Sequence, residues 1–122
     1  MKNSAVAIGT FIIMTLIAIS CSKSVDVNPT PAGISFSCTG INPKFSADVM
    51  PIFNTVCSVN SNCHGAGSTN AGGPFTGFTE ISAKTSNIRA VVLSGRMPLV
   101  GSLTQAQIND LICWIDSGGS NN

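Results

Sequence analysis

The residues with the most evident chemistry lie between Cys57 and His64 and read Cys-Ser-Val-Asn-Ser-Asn-Cys-His. Two thiols followed directly by the only histidine of the chain are the groups with which a protein attaches a haem covalently. The thiols add across the two vinyl groups of the porphyrin, and the imidazole takes one axial position on the iron. The sequence therefore predicts haem c, with thioethers at Cys57 and Cys63 and with His64 as an iron ligand.

The spacer between the two cysteines departs from the usual pattern. Haem attachment runs normally separate the cysteines by two residues, whereas five residues (58–62) separate them here. For both sulfurs to reach a vinyl group, the spacer has to bulge outward. The same spacing suits a disulfide loop, so this alternative stays open.

A haem iron bound by His64 needs a second axial ligand or an open position, and Met97 is the best candidate for the ligand. Met97 is expected in a non-helical segment, where Pro98 stiffens the backbone that presents it. A thioether ligand favours the reduced iron, which suits electron transfer. Methionines more often fill cores, and Met50 is a weaker second candidate, since it would project from the helix leading into Cys57.

That helix is the first of three that should position the site. Apolar residues at helical spacing predict it from about Ser46 to Val56, with Ser46 as a plausible cap. Pro51 conflicts with a helix interior, because proline lacks a donor and crowds the preceding turn. The alternative is a start nearer Met50, which would place Pro51 in the first turn of the helix.

Two further helices follow the site residues. The second is predicted around Ser86–Ser94, with Gly95 as its C-terminal stop. The third begins at a capping box formed by Thr104 and Gln107. Between the first and second helices, five glycines in residues 65–77 exclude a regular element. No strand pattern competes, so we expect an all-α domain with glycine-rich loops.

The N-terminal residues predict export. Lys2 precedes an uncharged, largely apolar run that ends in Ser20-Cys21, which is typical of a signal peptide over residues 1–20. Cys21 at the cut point indicates the lipidated cysteine of a bacterial lipoprotein. Its acyl chains would hold the protein at a membrane, facing the periplasm or the cell surface. The alternative is a retained membrane anchor.

The mature chain is divided into a tether and a domain. Residues 21–37 carry two prolines and little apolar periodicity, which predicts a flexible tether before a domain over 38–122. Loss of Lys2 with the signal peptide leaves five basic and five acidic residues. This balance argues against a nucleic acid partner, because phosphate binding needs clustered Lys and Arg.

Four cysteines remain after Cys21, and an oxidising compartment rarely leaves thiols free. Either Cys57 and Cys63 hold haem while Cys38 and Cys113 pair, or all four form two disulfides. A bond between Cys38 and Cys113 would close most of the domain into one loop and stabilise it by roughly 3–4 kcal/mol.

Four blocks, in this order, carry a resemblance to a known family. They are Phe45–Phe53, Cys57–Gly65, Ser94–Pro98 and Leu103–Ile115. Together they resemble the small class I cytochrome c domains of bacterial lipoproteins, especially those of Bacteroidetes. The resemblance implies a cytochrome c-like fold of three to four short helices around one covalently attached haem. It also implies thioethers at Cys57 and Cys63, axial ligands His64 and Met97, and electron transfer to redox partner proteins.

Two alternatives use the same residues differently. The first is a haem-free structural or interaction lipoprotein with a second disulfide between Cys57 and Cys63. The second is a zinc site of Cys57, Cys63 and His64, which lacks an evident fourth ligand. An enzyme is not expected, since one histidine and few carboxylates make a hydrolytic site hard to assemble.

Overall fold

The computed structural model describes residues 33–122. The signal peptide, the lipidated Cys21 and the tether up to residue 32 are predictions that lie outside these residues. Residues 33–122 form helices joined by loops, without a strand, which confirms the all-α prediction for this part of the chain. None of the helices described is long and apolar enough to span a bilayer.

The first helix, α1, is built from three consecutive pieces covering residues 45–57. They are the π-helical turn Phe45–Val49, the α-helical piece Met50–Ile52 and the second π-helical turn Phe53–Cys57. Three α-helices follow: α2 (Phe78–Ser82), α3 (Thr85–Leu93) and α4 (Gln105–Asp116).

The composition of α1 resolves the conflict posed by Pro51. The α-helical piece begins at Met50, so Pro51 occupies its first turn, where a missing N–H group is tolerated. Ahead of it the chain is wound more widely, and the Met50 N–H donates to the Phe45 carbonyl five residues back. Ser46 is not the cap that we expected. The N–H groups of Phe45 and Ser46 donate instead to Oδ1 and the backbone oxygen of Asn122, at 2.7 and 3.0 Å.

Helices α3 and α4 agree with the sequence prediction to within a residue. Helix α3 ends before Gly95, which has a φ of 71°, a conformation that glycine adopts without strain. At the start of α4, the Gln107 N–H donates to Thr104 Oγ1 and the Thr104 N–H donates to Gln107 Oε1, at 3.3 and 2.9 Å. This is the predicted capping box.

The core lies between α1, α3 and α4. Trp114 of α4 is fully buried and packs against the rings of Phe45 and Phe78, with centroid distances of 5.4 and 6.4 Å. The short helix α2, which we did not predict, supplies this Phe78 and the fully buried Ile81. Trp114 is therefore a core residue, and Phe78 of α2 completes the aromatic packing around it.

The N-terminal part of the described chain is held against α3 and α4. Cys38 and Cys113 form a disulfide with a Cα–Cα distance of 5.5 Å. Residues 33–37, assigned to the tether from the sequence, also pack here: the Ile34 N–H donates to the Leu93 carbonyl at 2.9 Å. The packed domain thus begins a few residues ahead of Cys38.

Candidate functional site

The four residues predicted to hold a haem line a single cleft of about 810 Å³. Cys57, Cys63 and His64 come from the end of α1 and the loop after it, whereas Met97 comes from the loop between α3 and α4. The volume lies within the range of about 300–1,000 Å³ that is usual for ligand pockets. The remaining lining residues are Thr55, Val56, Val59, Asn62, Asn70, Ala71, Pro98, Leu99, Val100, Gly101 and Ser102.

The wall of the cleft is uncharged and its rim is apolar. No Asp, Glu, Lys or Arg is among the residues that line it. Val59, Leu99 and Val100 lie on it with 51%, 82% and 86% of their surface exposed, and they are three of the four exposed large hydrophobic residues in the described part of the chain. Exposed apolar surface concentrated at one place is typical of a binding surface.

His64 is held in an orientation suited to a metal ligand. Its Nδ1 lies 3.0 Å from the Gly73 carbonyl oxygen. A carbonyl can only accept, so Nδ1 donates this hydrogen bond, and in the neutral tautomer that does so the lone pair lies on Nε2. The ring also stacks on Phe75, with a centroid distance of 4.5 Å and an interplanar angle of 27°.

The glycine-rich loop after His64 makes this arrangement possible. Gly72 and Gly73 have φ values of 99° and 76°, and a Cβ on Gly72 would lie 3.1 Å from Phe75 Cζ. The Phe75 N–H donates to the His64 carbonyl at 2.7 Å, which closes the loop on itself. Phe75 packs behind His64 and against Phe53, at 5.6 Å between centroids, and it is not part of the cleft wall.

The long spacer forms a compact bulge. The His64 N–H donates to the Cys57 carbonyl across it, at 3.0 Å, and residues 59–62 are exposed. The bulge folds back on Gly65, where an added Cβ would lie 2.7 Å from the backbone C and O of Asn60. Any side chain at this position would force the bulge to shift, a constraint that the sequence pattern alone did not show.

The two thiols of the cleft are not bonded to each other. Cys57 and Cys63 are free and half-buried, while the disulfide joins Cys38 to Cys113. Burial, and after it the neighbouring Cys63, raises the pKa of Cys57 to about 11. At neutral pH Cys57 is therefore a protonated thiol.

Met97 lines the same cleft from the loop between α3 and α4. Its N–H and that of Arg96 donate to the Val91 carbonyl at 3.1 and 2.9 Å, which anchors the start of this loop to α3. Met97 also borders a smaller cavity of about 120 Å³ behind the loop. The second candidate, Met50, packs against the core and does not line the cleft.

The side chains assembled here can present two thiols, one imidazole nitrogen and one thioether to a single bound group. Among residues 33–122, no three His, Cys, Asp or Glu side chains are placed to hold a metal ion by themselves. The chain matches no known family model, no curated protein and no solved structure.

Proposed function

We propose that this protein is a c-type cytochrome, lipid-anchored to a bacterial membrane, that carries electrons between redox partner proteins. A cytochrome c-like fold around one haem is part of the proposal. The observation that carries it is the convergence of Cys57, Cys63, His64 and Met97 on one uncharged cleft. Met97 belongs to a loop that is distant in the chain from the other three residues, so its presence in the same cleft is not a consequence of the local motif.

The residues present fit a covalently bound haem. Each of Cys57 and Cys63 would add its S–H across a vinyl group: an S–C bond forms, the vinyl double bond becomes single, and the proton goes to the other vinyl carbon. No oxidant is needed, because both sulfurs are thiols. The cleft is large enough and apolar enough to enclose much of a porphyrin.

His64 and Met97 would hold the iron of the haem as its two protein ligands. His64 would bind through Nε2, and the hydrogen bond from Nδ1 to the Gly73 carbonyl fixes the ring and makes Nε2 a stronger donor. Met97 would bind through its sulfur. A haem with these ligands supplies an iron centre that accepts and releases one electron at a raised potential. Apolar Val59, Leu99 and Val100 at the rim would limit the access of water.

A matched pair of variants tests the axial ligand. The protein is expressed with haem-maturation machinery, and its absorption and near-infrared spectra are recorded in both oxidation states. Met97→Leu should keep the covalent haem but lose the low-spin His/Met features, whereas Met50→Leu should keep them. Both changes conserve volume, so neither should prevent folding.

Two results would contradict the proposal. Unchanged spectra in Met97→Leu would exclude Met97 as the ligand. A colourless wild-type protein that gives no alkaline-pyridine haem spectrum would exclude the function itself.

A further inference from the structure

We propose that Asn60 and Asn70 position Cys63 for haem attachment, by locking the five-residue spacer into one shape. This inference rests on the proposed function and concerns a feature that a two-residue spacer does not need. Neither asparagine would touch the reacting atoms, so both are positioning residues.

Asn60 organises the spacer from within, as a hydrogen-bond acceptor. Its Oδ1 accepts from the N–H groups of Asn62 and Cys63, at 2.9 and 3.2 Å. Its backbone oxygen accepts from the N–H groups of Cys63 and Gly65, at 3.1 and 2.8 Å. The N–H side of Cys63 is thus tied to Asn60 twice.

Asn70, which lies beyond the spacer in the chain, also holds Cys63, as a hydrogen-bond donor. Its Nδ2 donates to the carbonyl oxygens of Asn62 and Cys63, at 2.6 and 2.9 Å. Ser68 Oγ also donates to the Cys63 carbonyl and accepts from the Asn70 N–H at 3.2 Å. The peptide groups on both sides of Cys63 are therefore fixed by side-chain amides.

These amides matter because the spacer is otherwise anchored to the domain at its first residue, where the Ser58 N–H donates to the Phe53 carbonyl at 2.7 Å and Ser58 Oγ donates to the Phe75 carbonyl at 2.8 Å. Cys57 belongs to α1 and packs against the core, but residues 59–62 are exposed, including half of Val59. Without the two asparagine side chains, residues 59–62 would sample more conformations, and ordering them would cost entropy at the moment of reaction. The hydrogen bonds of Asn60 and Asn70 order these residues when the domain folds, before haem is attached. Their loss should impair attachment at Cys63 and spare attachment at Cys57.

The opposite roles of the two asparagines give a sharp test. Aspartate keeps an acceptor oxygen but cannot donate. Asn60→Asp should therefore retain attachment at both cysteines, whereas Asn60→Ala, Asn70→Ala and Asn70→Asp should lose it at Cys63. Asn54→Ala is the control, because Asn54 is exposed on α1 and should have no effect.

The readout is the fraction of each cysteine that can be alkylated in the full chain after haem maturation, measured by peptide mass mapping. We expect a several-fold rise at Cys63 and none at Cys57. The pyridine haem spectrum should shift toward that of a haem with one free vinyl group. The proposal is overturned if Asn60→Ala and Asn70→Asp attach haem at both cysteines as the wild type does, or if Asn60→Asp fails as Asn60→Ala does.

A second measurement separates this proposal from the proposed function. In the haem-free chain, the alkylation rate of Cys63 should rise several-fold in Asn60→Ala and Asn70→Asp relative to Asn54→Ala, because the loop opens. If the wild type binds no haem, the function fails, and this rate alone decides whether the asparagines position Cys63. Equal rates in all variants would overturn the positioning role.

Discussion

Replacing Gly65 with alanine should destabilise the spacer directly. The added methyl would lie 2.7 Å from the backbone C and O of Asn60 and 2.9 Å from the Ser58 carbonyl oxygen. Carbon contacts are most favourable at about 3.5–4.0 Å, so the spacer would have to retreat by roughly 1 Å. That movement would break the 2.8 Å hydrogen bond from the Gly65 N–H to Asn60. Overpacking of this kind costs about 1–3 kcal/mol.

Gly33→Ala is the matched control for this change. Its Cβ would meet only the Leu93 carbonyl oxygen, at an ordinary 3.8 Å. Both variants share the gain of about 0.4–1 kcal/mol that alanine brings by restricting the unfolded chain. The difference between them therefore isolates the steric cost, and we expect Gly65→Ala to be less stable by about 1–3 kcal/mol.

The assay is urea unfolding followed by circular dichroism, with the disulfide intact. Mass mapping of the same samples should show less haem attached at Cys63 in Gly65→Ala. If the two variants are equally stable and equally loaded, then the spacer backbone does not lie against residue 65, and the arrangement described for the bulge is wrong.

Three further experiments test the structure around the site by urea unfolding. Cys38→Ser with Cys113→Ala removes a crosslink between residues 75 apart and should cost about 4 kcal/mol; an unchanged midpoint would contradict the pairing. Thr104→Ala removes the cap of α4 and should cost about 1 kcal/mol, which Thr104→Ser should restore. Burial, and after it the charge of Asp48, raises the pKa of the Asp110 carboxyl group. The folded state therefore binds the carboxyl proton more tightly than the unfolded state does, and the free energy of unfolding falls as the pH rises through the pKa of the folded state. Asp110→Asn should flatten this fall and be the more stable protein at neutral pH, and an unaltered pH profile would refute the assignment.

A helix could be predicted from the sequence when the residues that stabilise it are close to it in the chain. The start of α4 is local, because Thr104 and Gln107 satisfy each other within one turn, and the sequence shows both. The start of α1 depends on Asn122, 77 residues from Phe45, and no local pattern reveals it. Helix α2 has no capping side chain. It is stabilised by the contact of Phe78 with Phe45, at 5.1 Å, which exists only in the folded chain.

The candidate site divides in the same way. The residue types and order of Cys57, Cys63 and His64 suggest the chemistry without any structure. The groups that orient these side chains cannot be identified from the sequence. A glycine-rich segment is equally typical of a plain surface loop, so its composition does not show which backbone and side-chain groups face the site. The carbonyl of Gly73 and the amide of Asn70 become partners of His64 and Cys63 only when residues 64–75 close on themselves.

The most direct test of a covalently held haem is the intact mass and iron content of the mature protein. The protein is produced with haem-maturation machinery, and the peptide containing residues 57–64 is then sequenced by mass spectrometry. We predict one iron per chain and one haem bound to this peptide through both sulfurs. An iron-free protein in which Cys57 and Cys63 are bonded to each other would contradict the proposed function.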